Sequence, residues 1–230
     1  GNNFENCSCS GDVEIYAAEA EEAQEIGGIA GVWNNGGADV VFTKCTFTGT
    51  LKTDIAVDFY YGGLVGKPYS ATGPGKLIID GYEMVANGVG MKDGEYYIQS
   101  VAGMFWFANE VNVNKNAFNG KTVKLANNID LENAAWTPVG QTGATTFNGV
   151  FDGQNYTIYN LNVNSEAQTG AHYSSGLFGW VESHTAGHGH LKNIKINGAT
   201  INGHHNCGAL VGYITQETAL VENCHVTGAT

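Results

Sequence analysis

Residues 175–181 read SGLFGWV, a run in which glycines alternate with large apolar side chains. We call this pattern the glycine phrase, and it has three other copies: GGIAGVW from Gly27, GGLVGKP from Gly62 and CGALVGYI from Cys207. Aligned on their second glycine, the first two copies lie 35 residues apart and the last two lie 33 apart. Periods of this size predict a solenoid or a propeller-like array of repeats.

A second phrase, which ends in glycine and which we call the strand phrase, follows each glycine phrase. Its copies are TKCTFTG at 43–49, GKLIIDG at 75–81, KNIKING at 192–198 and ENCHVTG at 222–228, with ENCSCSG at 5–11 unpartnered and YNLNVNS at 159–165 ending in serine. Alternating apolar and polar residues predict a strand with one buried face. The closing glycine suits a turn with positive φ, after which a third short strand follows.

Three strands and three corners in each repeat predict an all-β fold, a right-handed parallel β-helix built as a solenoid of three-strand coils. The alternative is a β-propeller, which needs four antiparallel strands in each blade. Asn-Gly pairs occur in the chain, but not at regular hairpin spacing, which favours the β-helix. Leu177 and Phe178 are adjacent and apolar, so either the outer residue is covered or a bulge changes the register.

One segment breaks the repeat. Residues 100–112, SVAGMFWFANEVN, begin with the N-cap candidate Ser100 and carry apolar side chains at helical spacing, at positions 101, 104, 105, 108 and 111. We expect one α-helix there, capping the open end of a solenoid. A boundary near Asp93 would make 1–92 the terminal coils of a first β-helix unit and 93–230 a second unit. The alternative is one continuous stack, and in either case we expect the chain to be part of a longer protein.

Composition narrows the range of partners. The formal net charge is −12, all ten basic residues are lysines and the chain has no arginine. Nucleic acid is therefore not expected as a partner, because it requires a basic surface. No apolar run approaches the ~20 residues of a membrane span. No cofactor is expected.

Several segments of the chain resemble a known protein family. The segments NNIDLENAAWTPVG at 127–140 and FNGVFDGQNYTIYNLNV at 147–163, with the glycine phrases that follow, resemble the GLUG-motif repeat proteins. These are exported, surface-anchored proteins that are common in gut Bacteroidetes and also occur beside immunoglobulin A peptidase domains. The likeness covers the whole chain and is closest over 94–230. It implies an extracellular or cell-surface β-helix, anchored outside this segment, of a kind often described as an adhesin, and it implies no catalytic residue.

We therefore expect a non-enzymatic extracellular repeat module for display or adhesion, in contact with a glycan or a host surface protein. One alternative is a carbohydrate-active β-helix, and another is a purely structural stalk. Asp130 and Asp152 are the best-placed carboxylates for a glycosidase, which needs two of them roughly 5–10 Å apart. Both fit turn or repeat positions, and a lyase would lack arginine as a cationic partner.

Cysteine and asparagine occupy repeat positions. Cys7, Cys45 and Cys224 precede a glycine by four residues, where other copies carry Leu or Ile, so we expect all five cysteines to be free thiols. The residues before that position are asparagine in four copies, and we expect their amides to hydrogen-bond from coil to coil. These four are Asn6, Asn160, Asn193 and Asn223.

All seven histidines lie after residue 171, and five of them are close together in the sequence. A His-x-His pair with a second histidine pair nearby could bind zinc or nickel. The alternative is a solvent-facing loop without a physiological metal, which the spacing favours because it fits no metal motif. The candidate ligands are His184, His188, His190, His204 and His205.

Two aromatic residues are the candidate ligand-binding side chains. Trp180 and Tyr213 each follow the second glycine of a glycine phrase, on what should be neighbouring coils. If both face outward, their rings stack about 4.8 Å apart, one strand spacing, and suit a sugar ring. The alternative, which repeat positions favour, is that both rings pack within or between coils.

Overall fold

The computed structural model of the protein describes residues 2–15, 27–31, 37–53, 64–66, 74–165, 173–183, 185–203, 205–215 and 218–230. The chain divides into two compact units, Gly1–Asp93 and Gly94–Thr230. Strands dominate the described residues, which include one α-helix, so the predicted all-β class with a single helix is confirmed.

Unit 1 is built from short strands that pair between successive repeats. Its strands are β1 (Asn2–Glu5), β2 (Ser8–Cys9), β3 (Val13–Ile15), β4 (Val40–Thr43), β5 (Thr46–Phe47), β6 (Leu51–Thr53), β7 (Leu77–Ile79), β8 (Tyr82–Ala86) and β9 (Val89–Lys92). The first three strands pair in parallel with the next three, β1 with β4, β2 with β5 and β3 with β6. Two successive repeats therefore each supply three strands, as the phrases predict.

The end of unit 1 departs from this pattern. Strand β4 pairs in parallel with β7, but β7, β8 and β9 then form an antiparallel meander. Asp80 and Gly81, with φ values of 49° and 82°, make the first turn. Two consecutive residues with positive φ are typical of the tight turn that joins antiparallel strands. The sheet is therefore mixed, which the repeat pattern did not predict.

Unit 2 contains the helix and the longer ladders. Its elements are β10 (Glu95–Ile98), α1 (Val101–Asn112), β11 (Thr122–Leu125), β12 (Ile129–Asp130), β13 (Val150–Asp152), β14 (Thr157–Asn164), β15 (Ser174–Ser175), β16 (Phe178–Glu182), β17 (His190–Lys192), β18 (Lys195–Asn202), β19 (Asn206–Cys207), β20 (Val211–Thr215), β21 (Leu220–Glu222) and β22 (His225–Thr227). Parallel pairs run β10–β11–β13–β17–β21 and β12–β14–β18–β22. Two more parallel pairs, β15–β19 and β16–β20, connect the glycine phrases and the residues before them.

The glycine phrases align in the structure as they do in the sequence. Phe178 faces Val211, and Ala30 faces Val65, both in parallel register. A Cβ on Gly179 would lie 2.5 Å from the Gly140 carbonyl oxygen, which is closer than real Cβ contacts allow. Glycine at this position therefore permits neighbouring coils to approach.

Both apolar residues of SGLFGWV are buried. Leu177 and Phe178 are each 0% exposed and belong to the core cluster of unit 2. The chain bends at Gly176 and Leu177, between β15 and β16, so the alternation of a straight strand does not apply there. Because of this bend, the adjacent side chains of Leu177 and Phe178 can both be buried.

For two copies of the strand phrase, the alignment expected from the sequence is wrong. The sequence pattern equates Leu77 with Cys45, but Leu77 pairs with Val40. It also equates Leu161 with Ile194, but Leu161 pairs with Ala199. The alignment of 5–11 with 43–49 and that of 192–198 with 222–228 are both confirmed.

Helix α1 begins after Ser100, whose position as N-cap is confirmed although its side chain makes no capping hydrogen bond. The buried face of the helix consists of Gly103, Met104, Phe107, Ala108 and Val111. The Phe107 ring contacts the rings of Phe118, Phe147, Phe151 and Phe178, with centroids 5.2–6.2 Å apart. The helix thus anchors an aromatic core that reaches into the coils.

Candidate functional site

Asparagines join the coils at two corners of unit 2. Asn223 Nδ2 donates to Asn193 Oδ1 at 2.7 Å, and Asn193 Nδ2 donates to Asp152 Oδ1 at 2.9 Å. At a second corner Asn160 Nδ2 donates to Asp130 Oδ1 at 2.8 Å. The expected hydrogen bonds from coil to coil are therefore confirmed for these residues.

The same asparagines also have an unusual backbone conformation. Asn160 and Asn193 both have φ 54°, and Asn223 has φ 49°. Asparagine tolerates this left-handed region better than most residues with a side chain. The asparagine positions therefore make the corner as well as the hydrogen bond, a role that the sequence pattern alone did not identify.

Asp152 is held as an ionised structural carboxylate. Burial raises the pKa of its side chain, but hydrogen bonds from Asn193 and from the Gln154 backbone N–H, with the Lys192 ammonium, outweigh burial and lower the pKa below its ordinary value. Lys192 Nζ lies 3.7 Å from Asp152 Oδ2. Asp130 is exposed, and its Oδ1 accepts hydrogen bonds from Asn160 and from the backbone of Glu132. Both carboxylates therefore have partners that explain them structurally.

All five cysteines are free, as expected. Cys45 is buried and Cys207 is exposed, while the other three are half-buried. Burial raises the pKa of the Cys7 thiol, and the neighbouring Cys45 thiol raises it further. Burial also raises the pKa of the Cys224 thiol. A raised pKa reduces the thiolate fraction at neutral pH, so these two thiols are poor nucleophiles.

Three of the five candidate histidines, His188, His190 and His205, lie within the described residues. His184 and His204 lie outside the described residues, and the described histidines belong to no group of three side chains that could hold a metal. His190 Nε2 lies 3.2 Å from Glu222 Oε1, within ion-pairing distance when the imidazole is protonated. The weak metal site therefore remains a sequence-based prediction.

Trp180 and Tyr213 lie side by side on neighbouring strands. They are register partners in β16 and β20, and their ring centroids are 4.4 Å apart. The rings meet at 59°, so the flat stack expected from the strand spacing does not form. Tyr213 is 39% exposed, whereas Trp180 is half-buried, and a Cβ added to Gly143 would lie 3.3 Å from its ring.

Polar groups surround this aromatic pair. Glu182 and Thr215 are the next register pair on the same side of the two strands. Glu182 Oε2 accepts a hydrogen bond from Thr146 Oγ1 at 2.9 Å. We call the five residues Trp180, Tyr213, Glu182, Thr215 and Thr146 the outer ledge. The repeat pattern pointed to Trp180 and Tyr213 alone, although a spacing of two from an aromatic position would also have identified Glu182 and Thr215.

A concave surface lies beside helix α1. It has a volume of about 190 Å³ and is lined by Phe105, Ala108, Asn109, Asn112, Val113 and Thr137. Asn112 is already engaged there, because its amide donates to the Pro138 carbonyl and accepts from the backbone of Gly140 and Gln141. The lining is mostly apolar and carries no charged group.

The protein belongs to a broad class, the mostly β repeat proteins, and parallel strands join its successive repeats. The chain is similar to halomucin of Haloquadratum walsbyi, with 30% identity over 139 residues. That match covers 58% of this chain and 1% of halomucin. No family model and no solved structure matches the chain. Among the described residues, no helix has the length and apolarity needed to cross a membrane.

Proposed function

We propose that the protein is a right-handed parallel β-helix of the GLUG-motif type, serving as a non-enzymatic extracellular module for surface display or adhesion. It contacts a glycan or a host surface protein along an elongated surface. The observation that carries this proposal is the in-register, parallel pairing of successive repeats, in which Phe151, Leu191 and Val221 follow one another across β13, β17 and β21. Parallel strands joined by crossover connections are right-handed in nearly all proteins.

The surface location has separate support. The similarity to halomucin is with a protein whose name describes a mucin. A formal net charge of −12 favours solubility and opposes nonspecific association with nucleic acid. Repeat architectures also present long surfaces that suit contact with extended ligands.

The non-enzymatic part of the proposal is supported by the roles of the two carboxylates. A glycosidase needs a carboxylic acid whose pKa is raised, so that it can donate a proton near neutral pH. The pKa of Asp152 is shifted in the opposite direction, and its Oδ1 accepts a hydrogen bond from the Asn193 amide. Asp130 likewise accepts the Asn160 amide.

The test is a binding array of extracellular glycans and host surface proteins, probed with the purified chain. A variant with His184→Ala, His188→Ala and His190→Ala serves as the control for adventitious contacts through the histidine loop. We expect both forms to bind at least one member of the array without releasing sugar from it. Sugar release would establish the carbohydrate-active alternative, and a complete absence of binding would leave the structural stalk.

A further inference from the structure

The outer ledge combines three chemical features that face the same side of unit 2. Tyr213 presents an exposed aromatic ring supported by Trp180 at 4.4 Å. Glu182 lies two residues beyond Trp180 on β16, on the same side of the strand. Thr146 Oγ1 donates to that carboxylate at 2.9 Å, and Thr215 is the register partner of Glu182.

Two polar atoms of the ledge are buried without a hydrogen-bond partner. These atoms are Trp180 Nε1 and Thr215 Oγ1. An unsatisfied buried polar group costs about 1–3 kcal/mol, so such groups are rare unless they serve a purpose. Packing alone would be better served by apolar side chains, and the two atoms belong to register pairs on the same side of β16 and β20, with one pair between them.

The support beneath the ledge comes from the preceding coil. Residues 140–146 form a loop between Val139, which bridges to Phe178, and Phe147, which bridges to Val181. The loop backbone at Gly143 lies against the indole, since a Cβ there would be 3.3 Å from its ring. Thr146, at the end of the loop, reaches Glu182. The ring and the carboxylate are therefore fixed by contacts from two coils.

We propose that the outer ledge binds a neutral hexose unit of a glycan, a proposal that rests on the surface-binding function above. The Tyr213 ring packs against the apolar face of the sugar, and the Glu182 carboxylate accepts hydrogen bonds from its hydroxyl groups. Carboxylates are strong acceptors that suit hydroxyl donors. An apolar body with a polar rim is what a sugar ring offers to an aromatic side chain.

The carboxylate also sets the specificity. A uronic or sialic acid would bring a second negative charge close to the Glu182 carboxylate. Like charges at close range raise the cost of binding, which rejects acidic sugars by repulsion. The chain's net charge of −12 acts in the same direction.

The experiment is affinity electrophoresis of the native chain in gels that contain laminarin, galactan or galactomannan, and in gels that contain polygalacturonate. We expect retardation by at least one neutral polysaccharide and none by polygalacturonate. Tyr213→Ala should weaken neutral binding roughly ten-fold, as expected for the loss of one packed ring. Tyr156→Ala is the matched control, because Tyr156 is 37% exposed in the same unit and lies outside the ledge.

A second variant tests the role of the charge without removing bulk. Glu182→Gln should weaken neutral binding a few-fold and permit retardation by polygalacturonate, while the melting temperature stays close to that of the parent. The proposal is overturned if Tyr156→Ala weakens binding as much as Tyr213→Ala, or if polygalacturonate retards the parent as strongly as neutral polymers. It is also overturned if no neutral polysaccharide binds. Binding to host proteins in the array would then leave the proposed function standing, whereas an empty array would remove both.

Discussion

At the scale of single residues, the amide of Asn193 has two roles. Asn193 takes up a left-handed backbone conformation that turns the corner, and its side chain connects Asp152 below to Asn223 above. The chain of hydrogen bonds ends at a carboxylate that only accepts. A sequence can suggest such a ladder from repeated asparagines, but the acceptor at its base, Asp152, is the last residue of β13 and lies outside the repeat phrase.

The first prediction concerns Asn193. Asn193→Ala removes both amide hydrogen bonds. It also puts alanine, which has no polar side chain to hydrogen-bond locally, at a φ of 54°. We expect a loss of about 2–4 kcal/mol in the free energy of unfolding, measured by urea denaturation. Asn197→Ala, at an exposed strand position on the same coil, is the matched control and should change stability by less than about 0.5 kcal/mol. Equal effects of the two changes would refute the ladder's contribution.

The second prediction concerns the pH dependence that Asp152 confers. Its pKa in the folded protein lies below the ordinary value of 3.8. A depressed carboxyl pKa stabilises the folded state above the unfolded value, and that stability is lost as the pH falls through the folded pKa. Asp152→Asn should therefore melt below the parent at pH 7, and the gap in melting temperature should narrow as the pH falls below 3.8. A gap that stays constant or widens over this range would contradict the assignment.

At the scale of elements, the helix shows how far periodicity carries a prediction. Apolar spacing placed α1 within one residue of its observed start, and the helix is 12 residues long. The pattern pointed to positions 101, 104, 105, 108 and 111, but Phe107 is fully buried while Phe105 is 37% exposed. With aromatic residues at 105, 106 and 107, the sequence alone does not decide which of them faces the core.

The third prediction compares two phenylalanines of α1. Phe107→Ala removes a ring that contacts four other aromatic rings, and it should cost about 3–5 kcal/mol. Phe105→Ala removes a partly exposed ring on the same helix and should cost much less, about 1 kcal/mol. Urea denaturation of both variants gives the comparison. Similar losses for the two would mean that the helix is rotated relative to the described core.

The sequence patterns predicted the strand register correctly for some phrases and wrongly for others. The glycine phrases aligned correctly, because a Cβ on Gly179 or Gly212 would collide with a neighbouring backbone. The strand phrases at 75–81 and 159–165 were misaligned, since period-two alternation repeats at every second residue and does not fix a register. The β7–β8 turn was missed because Asp80 and Gly81 also fitted the end of a strand phrase.

At the scale of the whole molecule, burial changes along the ladders of unit 2. Phe151 and Leu191 are 0% exposed, whereas Val221, their counterpart on β21, is 38% exposed. Ile158 and Ile196 are buried in the same way, and Val226 on β22 is 40% exposed. The apolar residues of a repeat are thus buried where a further paired repeat follows it, and are more exposed in the last strands of the ladders.

The fourth prediction concerns the two units. The core cluster of unit 2 extends from Ile98 to Ala199 and includes all the rings that contact Phe107. We therefore expect residues 94–230 to fold alone and to melt cooperatively in circular dichroism. A fragment of equal length, 60–196, which divides both units, is the control and should lack a cooperative transition. The boundary near Asp93 would be refuted if 94–230 showed no transition either.

The central claim is that successive repeats stack as parallel strands, and cysteine cross-linking between β14 and β18 tests it most directly. In a background where the five native cysteines are replaced, Tyr159→Cys with Asn197→Cys, and Asn164→Cys with Asn202→Cys, place thiols on register partners. Partners on adjacent strands lie within disulfide range. We predict that these two matched pairs form disulfides readily under mild oxidation, while the crossed pairs, 159 with 202 and 164 with 197, do not. Efficient cross-linking of the crossed pairs instead of the matched ones would show antiparallel strands and contradict the account.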